Sequence, residues 1–456
     1  MKERKLGRRG FLAGAASVLS LAGASATSGC AVRTGSRDAA RGSGGGRKGV
    51  TTLTVMMPPS EVTPEVIKGF ETANPDITIN LIKDDQTRLT AMLAAGEPPD
   101  VARESATGFA FYPARGLAEN LDPYVKDSSL IKESDLAPIN DLWRYDGQMQ
   151  GRGPRYGLTK DYSQDATLWA NRTLFEQAGV DLPPDTEPLA FEGIPELAAR
   201  LTRNTKDDKT AVFGYGGTVD LTMAQLAHMV AAQGGSLFND DLSAVDFSSP
   251  EAVKAIQYWL DLARANVSYG PTRPNPAGWD GNAYIAGRIA LLSMGYWFQG
   301  QLAGTPEVAK VSVFLPAPTF AGKRLSPTYY GTGVWIPSKA KNKDAAWRFV
   351  EYFIAGEPAK QRAASGWGIP SLKSLEPLMP HKTPEERQVY EVQRRELPYF
   401  DIVVVATPYV RPQALAKILS AEFKAAVPSG TSAGKVADSL NRQINDLIAQ
   451  EKGKVG

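Results

Sequence analysis

Residues 53–105 alternate short apolar runs with amphipathic ones, and this alternation constrains the fold more than any other feature of the chain. LTVMM at 53–57 is short, apolar and stopped by Pro58 and Pro59, as a buried strand is. TPEVIKGFETANP predicts a helix with Thr63 as N-cap, Pro64 at the first helical position and an end before Pro75. ITINLI at 77–82 alternates with period two, TRLTAMLAAG predicts a second helix ending at Gly96, and PDVARE supplies a third strand. Strand–helix–strand–helix–strand is the pattern of a parallel α/β sheet. Ligands of such sheets sit beyond the carboxyl ends of the strands, which puts Pro58–Glu61 and Arg103–Thr107 on one rim. At 456 residues the chain exceeds one ordinary core and predicts two domains.

The first thirty residues address the chain rather than fold it. MKERKLGRRG is basic, and the apolar run of 16 residues after it is shorter than the roughly 20 a membrane span needs. A charged start, an apolar middle and small residues afterwards describe an export signal over residues 1–29. RRGFL resembles the twin-arginine export motif, with Arg8 and Arg9 ahead of Phe11 and Leu12 and Gly7 where Ser or Thr is usual. TSGC resembles a bacterial lipobox, with Thr27 where Leu is usual, and implies that Cys30 is acylated as the new N-terminus. The alternative is a plain signal peptide with a thiol beside its cleavage site. A diacylglyceryl group has two chains, enough for stable anchoring. Residues 30–49 follow as a Gly- and Arg-rich tether, a solvated linker spanning roughly 20–25 Å. The expected location is extracytoplasmic, lipid-anchored at the cell membrane.

Composition removes several functions. The full chain carries +2, and residues 1–29 hold five basic residues against one acidic, so the remainder carries −2. A nearly neutral body lacks the concentrated basic face that nucleic acid requires. Cys30 is the sole cysteine, so no internal disulfide forms, and His228 and His381 are the only histidines, too few for a His-based metal cluster. No metal and no cofactor are expected. GTSAG at 430–434 matches G-x-S-x-G, but a helical stretch precedes it and both histidines lie before Ser432, so it predicts a turn joining two helices.

Five segments, in order, carry a family resemblance. They are GEPPDV, GLAENLDPYV, YGLTKDYSQDATLWANRTLFEQAGVDLPP with its Asn171–Gly179 core, YIAGRIALLSMGYWFQG, and YYGTGVWIPSKAKNKDAAWRFVEYFIAGEPAKQRAASGWGIPS. Over residues 50–456 the chain resembles the extracellular solute-binding lipoproteins of bacterial ABC importers, in the carbohydrate-binding, maltose-binding-protein-like branch (family 1). The resemblance implies a two-lobed α/β periplasmic-binding-protein (Venus-flytrap) fold of class II type, with an interlobe cleft and several chain crossings. One lobe would hold residues 50–160 plus 328–367, the other 161–327 plus 368–456. The implied function is capture of a sugar or oligosaccharide by hinge closure and delivery to a membrane permease as a monomer. No Gly-x-x-x-x-Gly-Lys loop exists in the chain, so a separate ATPase subunit would supply the energy. A secreted carbohydrate-active hydrolase needs only two carboxylates about 5–10 Å apart and stays open as the alternative, as does a non-transport sugar sensor or adhesin.

A sugar presents hydroxyls and flat C–H patches, which polar groups and aromatic faces respectively complement. Trp169, Trp279, Trp297 and Trp367 each lie near Gly, Pro, Asn or Asp at an apparent element end and are candidate ligand contacts, with packing as the other reading. Trp259 and Trp347 lie inside amphipathic helices, Trp335 in a strand and Trp143 in DLWRY, where core packing is expected. Tyr330 and Gly331 sit at a crossing, and the family resemblance adds Tyr409. Glu104 and Asp161 are the candidate polar contacts, a helix cap or surface salt bridge being the other reading of each. Asp84-Asp85, Asp207-Asp208, Asp240-Asp241 and Glu385-Glu386 are expected to be solvated turns or helix starts.

Overall fold

Five strands make the first sheet, in the order Ile77–Ile82, Thr51–Met56, Val101–Ser105, Thr332–Trp335, Gly157–Thr159. The computed structural model describes residues 49–217 and 219–454. The expected signal peptide with Arg8 and Arg9, the expected anchor Cys30 and nearly all of the expected tether lie outside the described residues. The first three strands run parallel, and Thr332–Trp335 enters antiparallel between Val101–Ser105 and Gly157–Thr159. The helices between the parallel strands start and stop where local chemistry dictates. Thr63 Oγ1 accepts the Val66 N–H to open Pro64–Ala73, and Gly96 adopts φ 72° to close Gln86–Ala95. Val66 and Phe70 turn inward, and Phe70 meets Phe349 of the helix Lys343–Ala355 edge to face at 5.3 Å.

The second sheet has four strands, ordered Ser312–Leu315, Leu168–Asn171, Ile289–Ser293, Phe213–Gly216. Only the pair Ile289–Ser293 and Phe213–Gly216 is parallel. Its core takes in the helices Pro250–Arg264, Pro412–Ser429 and Ala433–Lys452. The last helix buries Val436, Leu440, Ile444 and Ile448, while Leu447, one position aside, is half-buried. GTSAG joins the final two helices: Gly430 closes one at φ 68° and Ser432 precedes the other. The tryptophans assigned to packing are buried, and Trp143 Nε1 donates to Thr159 Oγ1 at 2.7 Å.

The chain passes between the sheets three times. Gly157–Thr159 leads through Asp161–Tyr162 to Leu168–Asn171, and Ser312–Leu315 leads back to Thr332–Trp335. The third passage follows Ile369–Pro370, which pairs antiparallel with Asp161–Tyr162. Leu372 and Leu375 still pack into the first core, and the helix Pro384–Glu396 reaches the second sheet, where Gln388 both donates to and accepts from the backbone of Phe314. The passages lie side by side, since Lys160 N donates to Thr332 O (2.9 Å) and Asp165 N to Pro327 O (2.9 Å). The α/β class and the two-lobed architecture follow from these sheets and crossings.

Candidate functional site

The carboxyl ends of the first three strands and the three crossings enclose one cavity of about 470 Å³, within the range of small-ligand sites. Glu61 follows the first strand, Asp84 the second, and Glu104 and Ser105 end the third. Lys160, Asp161 and Asp165 come from the first crossing, Tyr330 to Thr332 from the second, and Trp367 from the turn just before the third. Trp297 enters from the second sheet, just past Ile289–Ser293. A smaller cavity of about 310 Å³ shares Glu61, Lys160, Asp161 and Trp367 with it.

Aromatic faces form part of the lining. Tyr330 is 53% exposed and Trp367 40%, two of six large apolar side chains left in water among the described residues. Trp367 stands between Gly366 (φ 75°), which ends the helix Glu357–Ser365, and Gly368. Its ring is parallel to Trp297 within 5°, centroids 6.4 Å apart. Tyr330 is pinned through its backbone, where Ser105 Oγ donates to its carbonyl (2.9 Å). Gly331 has φ 57°, and a side chain there would press on Ile139.

Charged side chains complete the lining. Arg103 Nε reaches Glu61 Oε1 at 3.1 Å, and its Nη1 lies 3.7 Å from Asp84 Oδ2. Lys160 Nζ bridges Asp161 Oδ2 (2.6 Å) and Glu61 Oε1 (3.6 Å), and Arg362 Nε lies 3.9 Å from Asp161. Burial alone would raise the Glu61 carboxyl, but Lys160 and Arg103 outweigh it and hold it below the usual range. Burial raises Asp84, and Arg103 offsets this only in part. Burial also raises Glu104, against the Tyr112 hydroxyl that donates to it at 2.6 Å. Asp165 is pushed up to about 7 by burial, although Oδ2 accepts the Tyr329 N–H at 2.7 Å. The wall thus offers carboxylates and cations beside flat rings, groups that accept from and donate to hydroxyls and that cover C–H faces; no group of three His, Cys, Asp or Glu among the described residues is placed to hold a metal.

The family model described as bacterial extracellular solute-binding protein matches residues 58–359, more than half of the chain. The chain belongs to this family. An ABC substrate-binding protein from Listeria monocytogenes, in complex with cycloalternan, superposes with TM-score 0.73 at 23% identity, covering 88% of this chain and 99% of that one. An ABC transporter solute-binding protein from Thermotoga lettingae, bound with α-D-tagatose, gives 0.71 at 22% identity, covering 87% and 100%. A maltotriose-binding protein from Pyrococcus abyssi is 22% identical over 295 residues, 64% of this chain and 59% of its own length. The matched segment therefore spans less than two thirds of that relative.

Within this solute-binding fold, Glu104, Asp161, Trp297, Tyr330, Gly331 and Trp367 are brought together in the one cavity. Trp169 is not there. It is 1% exposed inside the second sheet, packed on Phe298 and Phe314, and its Nε1 donates to Gly295 O at 3.2 Å. LWAN is a central strand paired on both edges, and all four of its residues are buried, so both faces are covered and Trp169 belongs to the core. Tyr409 is half-buried outside the cavity with Lys452 over its ring, and Gln413 lines the cavity instead. Trp279 lies in a neighbouring groove but stacks on Trp297. Of the pair expected to be a solvated turn or helix start, Asp85 does cap a helix, accepting the Arg88 N–H at 2.9 Å. Asp84 instead faces the cavity with Oδ1 buried and unpartnered. The carboxyl-end rule that placed Glu61 and Glu104 on the rim, applied to the second strand, would have found it.

Proposed function

We propose that the chain is the sugar-binding component of an ABC importer, which closes on a mono- or oligosaccharide and presents it to a membrane permease served by a separate ATPase. The observation that carries this is the pairing of exposed Tyr330 and Trp367 faces with Glu61, Glu104 and Asp161 in one cavity between the two sheets. Flat rings suit the C–H face of a pyranose and carboxylates accept from its hydroxyls. Relatives named for maltotriose, cycloalternan and tagatose support a carbohydrate ligand. One lobe comprises residues 50–160 and 328 to about 375, because Leu372 and Leu375 pack into the first core; the other comprises 161–327 and the rest. The protein acts as a monomer outside the cytoplasm, exported through the Arg8–Arg9 signal and held by a lipid on Cys30, and the bound sugar leaves unchanged.

A thermal-shift screen of mono- and oligosaccharides tests the reading, because a ligand that binds only the native state raises the melting temperature by mass action. A saturable rise with a sugar is the expected result. No rise with any sugar, together with a rise for peptides or polyamines, refutes it.

A further inference from the structure

Asp165 joins the two crossings and the turn behind Trp297. Its N–H donates to Pro327 O (2.9 Å), and its Oδ2 accepts the Tyr329 N–H (2.7 Å) and the Thr328 hydroxyl (3.3 Å), so this one residue clips the first crossing to the second. The clipped peptide is held from the first lobe as well. Tyr329 O accepts from Thr107 Oγ1 (2.8 Å), and Tyr330 O accepts from Ser105 Oγ (2.9 Å) and Thr107 N (3.3 Å). Asp165 Oδ1 meets the turn that presents Trp297. A Cβ at Gly295 would stand 2.7 Å from Oδ1 and run into Ser163 Oγ, which accepts the Trp297 N–H at 3.4 Å. A side chain there would displace the carboxyl. One carboxyl therefore sets the backbone of both Tyr330 and Trp297.

No ion pair reaches that carboxyl among the described residues; Lys160 and Arg362 are both turned to Asp161. The titratable groups that face it are Asp161 of its own crossing and Tyr329 and Tyr330 of the second. Behind Tyr329, whose hydroxyl lies 2.9 Å from His228 Nδ1, stands the helix Met223–Ala232, and the turn at 294–297 brings no charged side chain. Asp165 also borders the cavity. A sugar that fills the cavity removes water from this wall and makes the ionised form costlier still, because a buried charge without a partner is not offset.

We propose that Asp165 is the positioning residue of the hinge and is neutral in the sugar-loaded form, so that capture takes up a proton and weakens in alkaline surroundings. The inference rests on the sugar reading above and adds a regulation of the same site. The sign follows from linkage. The loaded form holds the proton more tightly than the empty one, whose carboxyl burial has pushed up to about 7. Affinity is then level below about pH 7 and falls as pH rises above it, by at most about tenfold per pH unit for one proton.

Isothermal titration with malto-, cello-, manno- and xylo-oligosaccharides, in buffers of different ionisation enthalpy, tests this. For the series that binds, wild-type affinity should fall about three- to tenfold from about pH 6 to about pH 8, with net proton uptake at the higher pH. Asp84 and Glu104, also raised by burial, face the same cavity, so variants isolate the residue. Asp165→Asn keeps an acceptor for Tyr329 and carries no charge at any pH; its affinity should be level over that range, without the uptake. The double variant Asp84→Asn, Glu104→Gln should keep the wild-type slope, and it decides the matter if Asp165→Asn does not fold. Wild-type affinity that is level or rises with pH, no proton uptake, a slope kept in Asp165→Asn, or a slope lost in the double variant each overturn the hinge assignment and leave the sugar reading intact. A folded wild type that binds no sugar at any pH overturns the sugar reading, and the hinge assignment with it.

Discussion

Trp367 and Tyr330 keep large apolar faces in water although burying such a face is worth about 1.5–3 kcal/mol. A solute that covers them recovers that energy, which is why they, rather than the buried tryptophans, are the residues to remove. Trp367→Ala should lower sugar affinity about tenfold while shifting stability by no more than about 0.5 kcal/mol. Trp169→Ala should do the reverse in kind, costing about 3–5 kcal/mol in denaturant unfolding because it empties a core site. Asp165 supplies a pH test. Burial raises its carboxyl to about 7, so folded chain binds that proton more tightly than unfolded chain, whose carboxyl titrates near 3.8. The stability this contributes is full below about pH 4 and is lost as pH rises through 7. Asp165→Asn cannot lose it, so its melting temperature should gain on the wild type from about pH 4 to 7 and hold that lead above. A difference that does not change with pH would contradict the assignment.

Strands and helices carry the next level of the account. The strand Thr332–Trp335 lies between two neighbours, and a Cβ at Gly333 would collide with the Leu158 carbonyl and the Trp143 ring. Gly333→Ala should therefore cost about 1–3 kcal/mol or more in chemical denaturation, as overpacking against backbone cannot relax cheaply. Thr63→Ala, which removes only a cap, should cost about 1 kcal/mol. The parallel half of this sheet was legible in the sequence because its signals are local: Pro58, Thr63 and Gly96 mark ends within a few residues of the elements they bound. The antiparallel entry of Thr332–Trp335 was not, since its partners lie far away in the chain and no local pattern names them. The same division holds at the site. Glu61, Arg103 and Glu104 could be placed on a rim from strand direction alone, whereas Lys160 and Asp165 reach the cavity only because three distant segments run side by side. Trp169 misled because Asn171, which caps the next helix, made a paired strand resemble a loop.

At the scale of the molecule, two lobes share three crossings, and side chains also join them, Trp367 to Trp297 among them. Arg115 is one. Its guanidinium lies 3.8 Å from the Phe111 ring in the first lobe and donates to Pro408 O (2.7 Å) and Tyr409 O (2.6 Å), which belong to the chain packed on the second. These bonds tie the two lobes together, so Arg115→Ala should favour the open form and weaken sugar binding about tenfold by titration calorimetry. Hinge motion about side-by-side crossings is a rigid-body change that moves whole lobes rather than side chains. Small-angle X-ray scattering during a sugar titration observes that motion directly. The radius of gyration should fall saturably as sugar is added and recover when the sugar is dialysed away. Saturating sugar that leaves the scattering curve unchanged would contradict capture by closure of two lobes.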